Sequence, residues 1–221
     1  MSDCLFCEIG EQRARLEGHP ENVVLFESDN FYVKPALGHF IEGYCLIVTK
    51  EHLVTMAELE SEGCVELENV LRELRRRLST LYGRAFCVFE HGAACPVYRA
   101  GACIDHAHIH VLPVRCDVTS SLSTFGASRI SGFSELRSFV SGGSRSYIYY
   151  EPEPDVRIVY SCDERVPSQL MRRLICQRLG IGHDWDWRVS PLFDEAARFV
   201  ARWQTVFAPT CDSNLHAHVR G

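Results

Sequence analysis

Three histidines alternate with small or branched apolar residues in Asp105-His-Ala-His-Ile-His-Val-Leu-Pro113. No other stretch constrains the fold of this chain as tightly. Side chains two apart share one face of a β-strand, so His106, His108 and His110 point one way while Ala107, Ile109 and Val111 point the other. The apolar row reads as buried backing, which makes this an internal strand. Imidazole titrates near neutrality and serves as nucleophile, general acid or metal ligand. Three of them on one face of a backed strand point to an active-site strand.

The remaining periodicity supplies a sheet for that strand and a helix to cover it. Residues 23–33 read as two short strands about a Ser28-Asp29-Asn30 turn. Residues 44–48 and 85–89 read as further strands, rich in branched and aromatic side chains. Between them, Thr55-Met-Ala-Glu58 has the pattern of a capping box. The helix expected after it carries Leu67, Leu71, Leu74, Leu78 and Leu81 as one apolar stripe and closes at Gly83. Arg72, Arg75, Arg76 and Arg77 lie largely off that stripe and read as a solvated face pairing with Glu62, Glu66, Glu68 and Glu73. This order of elements predicts an α+β fold, an antiparallel sheet covered by a long helix.

After Pro113 the composition changes. Residues 117–145 are rich in Ser and Gly, with one short helix expected over 134–140, and read as a surface loop or lid. Residues 146–151 and 156–160 form an expected strand pair. Two helices follow: 168–179, stopped by Gly180, and one opening at Ser190-Pro191 with Ala196, Val200, Trp203 and Phe207 as its stripe. The expected organisation is therefore a catalytic domain over 1–115 and a loop or lid over 116–145. An extension over 146–207 packs on the same core, and the tail, 208–221, is expected to fray.

At 221 residues, 46% hydrophobic and 24% charged, the chain has the balance of a soluble globular protein. A formal charge of −6 argues against general affinity for nucleic acid or anionic membranes. No apolar run reaches the length of about 18 residues that a membrane span needs. Eleven cysteines is an odd number, and Cys45, Cys64, Cys87 and Cys176 lie in apolar segments, where a free thiol acts as a small hydrophobe. With no secretory signal visible, a reducing cytoplasm is the expected location. Only Cys4 and Cys7 have ligand-like spacing.

The run His-Ala-His-Ile-His-Val-Leu resembles the His-φ-His-φ-His-φ-φ signature of the histidine-triad (HIT) superfamily, whose members act on the α-phosphate of nucleotides. Further matches stand upstream in order. Cys4-Leu-Phe-Cys7 resembles the amino-terminal pair of zinc-carrying members. Glu42-Gly-Tyr-Cys-Leu-Ile-Val-Thr-Lys-Glu-His52 resembles the strand motif Gly-His-x-Leu-Val-Ile-Pro-Lys-x-His. Phe89-Glu-His-Gly92 falls where the family has an Asn-rich turn ending in Gly. The resemblance spans residues 1–115 and implies a HIT-like fold there, with the strand pair and two helices as an extension.

It also implies roles. His108 would be the nucleophile, giving a covalent nucleotidyl-imidazole with its other ring nitrogen held by a backbone carbonyl. His110 would contact the phosphate and protonate the leaving group. Cys4, Cys7, His52 and His106 would hold a structural zinc. Related transferases carry glutamine at the third position, so His110 favours water as the final acceptor. The implied activity is hydrolysis of a phosphoanhydride or phosphoramidate at a nucleotide α-phosphate. A nucleotidyltransferase or phosphorylase, and a zinc-stabilised nucleotide-binding protein without turnover, are the alternatives. A homodimer formed through the long helix is a further possibility from the resemblance.

Specificity is less legible. Pro35 and Ala36 stand where relatives grip the ribose, Tyr44 replaces the histidine of the strand motif, and Gly101-Ala102-Cys103 lacks the polar pair that precedes the triad in relatives. Expected substitutes for substrate contact are Glu90 and His91 beside Gly92, Tyr98, Arg99 and Cys103 on the following loop, and Gln169 and Arg172 at a helix start, where free amides favour anions. For Arg172 and Arg173 a solvated helix face is the competing expectation. Trp185 and Trp187 read as core anchors of the extension.

Overall fold

Alternating apolar residues and a polar turn build the first hairpin of the computed structural model, strands β1 (Phe26–Glu27) and β2 (Phe31–Pro35). The Glu66 carboxylate pins its turn, accepting from Ser28 Oγ at 2.6 Å and from the Asn30 amide at 2.8 Å. The structure describes residues 4–11, 18–83, 85–93, 104–141, 146–162, 166–182 and 184–207. The later strands are β3 (Cys45–Thr49), β4 (Cys87–Ala93), β5 (His108–Leu112), β6 (Gly126–Arg129), β7 (Ser146–Glu151) and β8 (Ile158–Cys162). The helices are α1 (Leu5–Glu11), α2 (Ser61–Tyr82), α3 (Glu135–Ser141), α4 (Leu170–Leu179) and α5 (Phe193–Phe207). All strands join one antiparallel sheet in the order β1-β2-β3-β5-β4-β7-β8-β6, so the chain has the α+β class its periodicity predicts.

Each sheet face carries its own core. Val33, Ile47, Ile109 and Val111 meet the Leu67, Leu71, Leu74 and Leu78 stripe of α2, joined by Leu136 of α3 and by Phe199 and Trp203 of α5. The opposite face packs Leu46, Val48, Phe89 and Ile148 against Phe6 and Ile9 of α1 and Met171 and Ile175 of α4. The histidines of β5 stand on this second face. The expected strand pair of the extension is present, and β7 pairs with β4 to continue the amino-terminal sheet.

Several expectations need correction. The Thr55 capping box is formed, but it closes a 3-10 turn over Met56–Glu58, and α2 starts only at Ser61. The Met56 amide is drawn to the buried Glu90 carboxylate at 2.8 Å. Of the four arginines, Arg72 and Arg76 bond locally on the exposed face and Arg77 pairs with Glu73 at 2.6 Å while lying over the Phe26 ring, whereas Arg75 reaches the fully buried Glu151 at 2.8 Å. Residues 117–141 hold more regular structure than the expected surface loop, in β6 and α3. Their strand β6 lies at the far sheet edge beside β8, and none of them lines the cavity described below. α4 begins at Leu170 after Gln169, which takes a left-handed φ of 59°. α5 begins at Phe193, because the Pro191 carbonyl accepts from the Gly38 amide at 2.8 Å and Leu192 turns at φ 53°. Phe89-Glu-His-Gly92 is no turn but part of β4. Gly92 is needed there because the Tyr147 ring lies where a Cβ would stand.

Candidate active site

Register places the site before any side chain is considered. Lys34 on β2, Leu46 on β3 and His110 on β5 are paired across the sheet, and Tyr32, Val48 and His108 form the next row. Strands are about 4.8 Å apart, so Lys34 and His110 stand about 10 Å apart across a floor of Leu46. On the other side of β5, Phe89 pairs with His110 and stacks on its ring at 4.2 Å, and His91 follows on the same face of β4. A cavity with about 810 Å³ of atom-free space, partly continuous with solvent, opens over this face. Its walls are Leu5 and Phe6 of α1, the Pro20–Asn22 turn, Gln169 and Arg172 at the start of α4, and Trp187.

The hydrogen bonds determine which ring nitrogens are free. His108 Nδ1 lies 2.7 Å from the His106 carbonyl, which can only accept, so Nδ1 carries the proton and Nε2 keeps a lone pair. Burial lowers the His108 pKa to about 4, with the His106 carbonyl opposing and His106, Lys34 and Arg172 adding to the shift. His110 Nδ1 lies 2.6 Å from the Tyr44 hydroxyl, whose oxygen also accepts from Arg172 Nη1 at 3.1 Å. Tyr44 is fully buried, and its proton needs an acceptor. His110 Nδ1 provides one, which leaves Nε2–H as the His110 donor. Burial, with His108, His91 and Arg172 nearby, holds the His110 pKa well below the usual imidazole value. His91 Nε2 accepts from the Met171 amide at 3.3 Å, so its proton sits on Nδ1. Burial, then His108 and Arg172, lowers its pKa to about 3.

The expected substrate residues divide. His91, Gln169 and Arg172 line the cavity. Arg172 is 3% exposed, not part of a solvated face. Its guanidinium bonds the carbonyls of Trp185, Leu37 and Gly38 as well as Tyr44. Gly38, at φ 65°, leaves room for that guanidinium, which a Cβ would meet at 2.4 Å. Gln169 holds Asp186 at 2.9 Å and accepts from the Trp187 amide at 3.4 Å. The Met171 amide at the start of α4 is given to His91. Trp187 is half-buried on the cavity wall, not a core anchor.

Glu90 does not join the cavity. It alternates with Phe89 and His91 on β4 and so faces the α2 side, where Thr55, the Met56 amide and Tyr147 donate to it. That strict alternation between Phe89 and His91 was the sequence signal against it. Tyr98, Arg99 and Cys103 lie outside the described residues, as does the tail, 208–221.

Sequence reasoning missed Lys34 and Glu21 and noted Tyr44 only as a replacement. A lysine inside the otherwise apolar Phe31-Tyr-Val-Lys-Pro35 was the available signal, because an unpaired charge is rarely buried without cause. Lys34 is 2% exposed, and burial lowers its pKa to about 8 against the opposing charges of Glu21 and Cys45.

Beside the cavity, Cys4, Cys7, His52 and His106 bring their ligand atoms within 4.8 Å of one another and could hold a metal ion. The Cys4 and Cys7 sulfurs lie 3.4 and 3.6 Å from His106 Nδ1, and Cys7 lies 3.2 Å from His52 Nδ1. These spacings resemble the edges of a tetrahedron with metal–ligand bonds of about 2.0–2.3 Å. His106 Nε2 lies 2.7 Å from the Thr49 carbonyl, which orients the ring and leaves Nδ1 for an ion. β5 starts at His108, so His106 stands just ahead of the strand. The Phe6 ring meets both His106, at 5.6 Å, and His108, at 5.2 Å, and so joins the cluster to the cavity.

Among solved structures, the chain is similar to a hypothetical histidine triad nucleotide-binding protein from Sulfolobus tokodaii, with 20% identity, a TM-score of 0.39, and coverage of 50% of this chain and 68% of that one. It is also similar to a member of the HIT family from Bacillus subtilis, with 16% identity, a TM-score of 0.42, and coverage of 51% and 74%. A HIT family hydrolase from Clostridium thermocellum is similar at 18% identity and a TM-score of 0.36, with coverage of 51% and 90%. No protein-family model matches the sequence, and no curated protein matches it.

Proposed function

We propose that this protein is a hydrolase that cleaves a phosphoanhydride or phosphoramidate at a nucleotide α-phosphate through a covalent intermediate on His108. The observation that carries the proposal is the state of His108: Nδ1–H is tied to a backbone carbonyl and the Nε2 lone pair is left for attack, in a ring lining a cavity. Nε2 bonds to phosphorus as the bond to the leaving group breaks. His110 Nε2–H lies on the same strand face to donate to the phosphate or to the departing atom. An anionic phosphate between the rings favours protonated imidazole, so substrate binding itself raises the proton affinity of His110. Water then attacks phosphorus, the N–P bond breaks with its electron pair returning to His108 Nε2, and the water proton replaces the one that His110 gave to the leaving group.

Cys4, Cys7, His52 and His106 suit a structural zinc, since two thiolates and two imidazoles complete a tetrahedron and leave no position for substrate. The ion would hold α1, and with it Leu5 and Phe6, against the cavity.

Acid quenching is the wrong stop for a labile phosphoramidate adduct, so the test uses rapid denaturation at high pH and mass analysis. A nucleotidyl group should appear on His108, and His108→Ala should lose turnover almost completely while remaining folded. Near-normal turnover by His108→Ala overturns the covalent mechanism. Phosphate-dependent release of a nucleoside diphosphate assigns the site to phosphorolysis instead.

A further inference from the structure

The β2 side of the cavity carries two charged groups that the phosphate chemistry does not use. Lys34 Nζ donates to the Pro35 carbonyl at 3.0 Å, and that is its one hydrogen bond among the described residues. Glu21 stands on the Pro20–Asn22 turn and is 9% exposed. Its Oε1 lies 3.3 Å from His19 Nδ1, whereas Oε2 is buried with no hydrogen-bond partner among the described residues. Both side chains line the cavity, and among the described residues no ion pair joins them. Buried charged groups are ordinarily committed to partners, so a spare donor and a spare acceptor on one wall are suited to a ligand.

The two charges together narrow its chemistry. Glu21 repels a second phosphate, and Lys34 repels a cation. A neutral group with an acceptor beside donors meets both. Leu5, Phe6, Leu37, Leu46 and Trp187 line the same cavity and favour a flat ring with apolar faces. Lys34 stands two strands from His110, an interval of about 10 Å that the ribose of a nucleotide can span when its phosphorus is at His108.

We propose that Lys34 and Glu21 read the base of the nucleotide, and that they select guanine over adenine. This rests on placing the phosphate at His108. Guanine offers O6 and N7 as neighbouring acceptors, suited to Lys34, and an N1–H and an N2 amino group as donors, suited to the Glu21 carboxylate. Adenine has an amino donor where guanine has O6 and a lone pair where guanine has N1–H. It would present a donor to the cation and a lone pair to the anion.

Binding is measured first, with the full-length His108→Ala protein and the 5′-monophosphates of guanosine, inosine and adenosine. Turnover of the matching 5′-phosphoramidates by the unmodified protein is measured second. A hydrogen bond to a charged group is worth about tenfold or more in affinity. Guanosine monophosphate should therefore bind at least about tenfold tighter than adenosine monophosphate, with inosine monophosphate, which lacks the N2 amino group, between them. Glu21→Gln and Lys34→Met should each pull the guanine-to-adenine ratio toward one. Equal binding of the two purines, or a ratio that Glu21→Gln leaves unchanged, overturns the proposal. If either variant fails to fold, the base series on the unmodified wall decides alone. Base discrimination without turnover leaves this proposal standing and sinks the hydrolase reading; turnover without discrimination does the reverse. No binding of any nucleotide sinks both.

Discussion

At the scale of residues, the site depends on which ring nitrogen holds which proton. Tyr44 sets this for His110, and Arg172 sets it for Tyr44 by donating to the hydroxyl oxygen. Tyr44→Phe removes the link. It should lower kcat by about ten- to a hundredfold, the value of one hydrogen bond to a group that becomes charged, with KM little changed. Steady-state kinetics checks this, and an unchanged kcat would show that His110 needs no orienting partner. His108 yields a pH prediction. Because burial lowers its pKa to about 4, the ring stays neutral and nucleophilic well below pH 6.5. The acid limb of kcat/KM, which reports the free enzyme, should fall near pH 4. A limb at the ordinary imidazole value contradicts it.

Glu90 behaves oppositely. Burial raises its pKa from 4.5 to about 7, despite the hydrogen bonds from Met56, Tyr147 and Thr55. A raised folded-state pKa contributes stability that is complete below 4.5 and is lost as pH rises through about 7, an effect of about 3 kcal/mol. Protonated, Glu90 can donate to Tyr147, which then donates to Thr55, which donates back to Glu90. Glu90→Gln should remove this pH dependence. The difference in Tm between variant and parent, measured at pH 5 and pH 8, isolates it from the titrating histidines.

At the scale of elements, α1 is a seven-residue helix, too short to be stable without tertiary contacts. Phe6 and Ile9 bury it, Tyr32 donates to the Phe6 carbonyl at 2.8 Å, and the Cys-His cluster that could hold a metal ion stands at its start. Metal removal by a chelator, or Cys7→Ser, should therefore lower Tm and raise KM together, because Phe6 is both core and cavity wall. Thermal melts and kinetics on the same samples check this; an unchanged Tm and KM would mean that the apolar contacts suffice. The element-level expectations that failed did so at boundaries. α2, α4 and α5 each start later than local pattern implies, because tertiary partners take the amides and carbonyls at those positions: Glu90 for Met56, His91 for Met171 and Gly38 for Pro191.

At the scale of the molecule, the extension is built into the site. β7 covers the edge of β4 that β5 does not, and α4 brings the Met171 amide to His91 and Arg172 to Tyr44. Truncation after Val114 exposes that edge and strips Met171 from His91 and Arg172 from Tyr44. The fragment should be insoluble or partly unfolded, and inactive, by circular dichroism and assay; a folded, active 1–114 fragment would make the rest a separate module. β4 is paired on both sides, and among the described residues the sheet ends at β1 and β6. Among the described residues no helix is long and apolar enough to cross a membrane.

What the sequence determined by itself was periodic or closely spaced. The alternation through Ile109 and Val111 encodes a backed strand, the leucines of α2 encode its buried stripe, and the spacing of Cys4 and Cys7 encodes a pair of ligand atoms. These signals are local because strand and helix periods come from backbone geometry. Only tertiary structure decided that Arg172 reaches Tyr44 across 128 positions, that Lys34 faces His110 across Leu46, and that Glu90 turns from the site. Such pairings depend on register between strands and on how helices dock over a face. They join residues whose neighbours in sequence carry no trace of the partner.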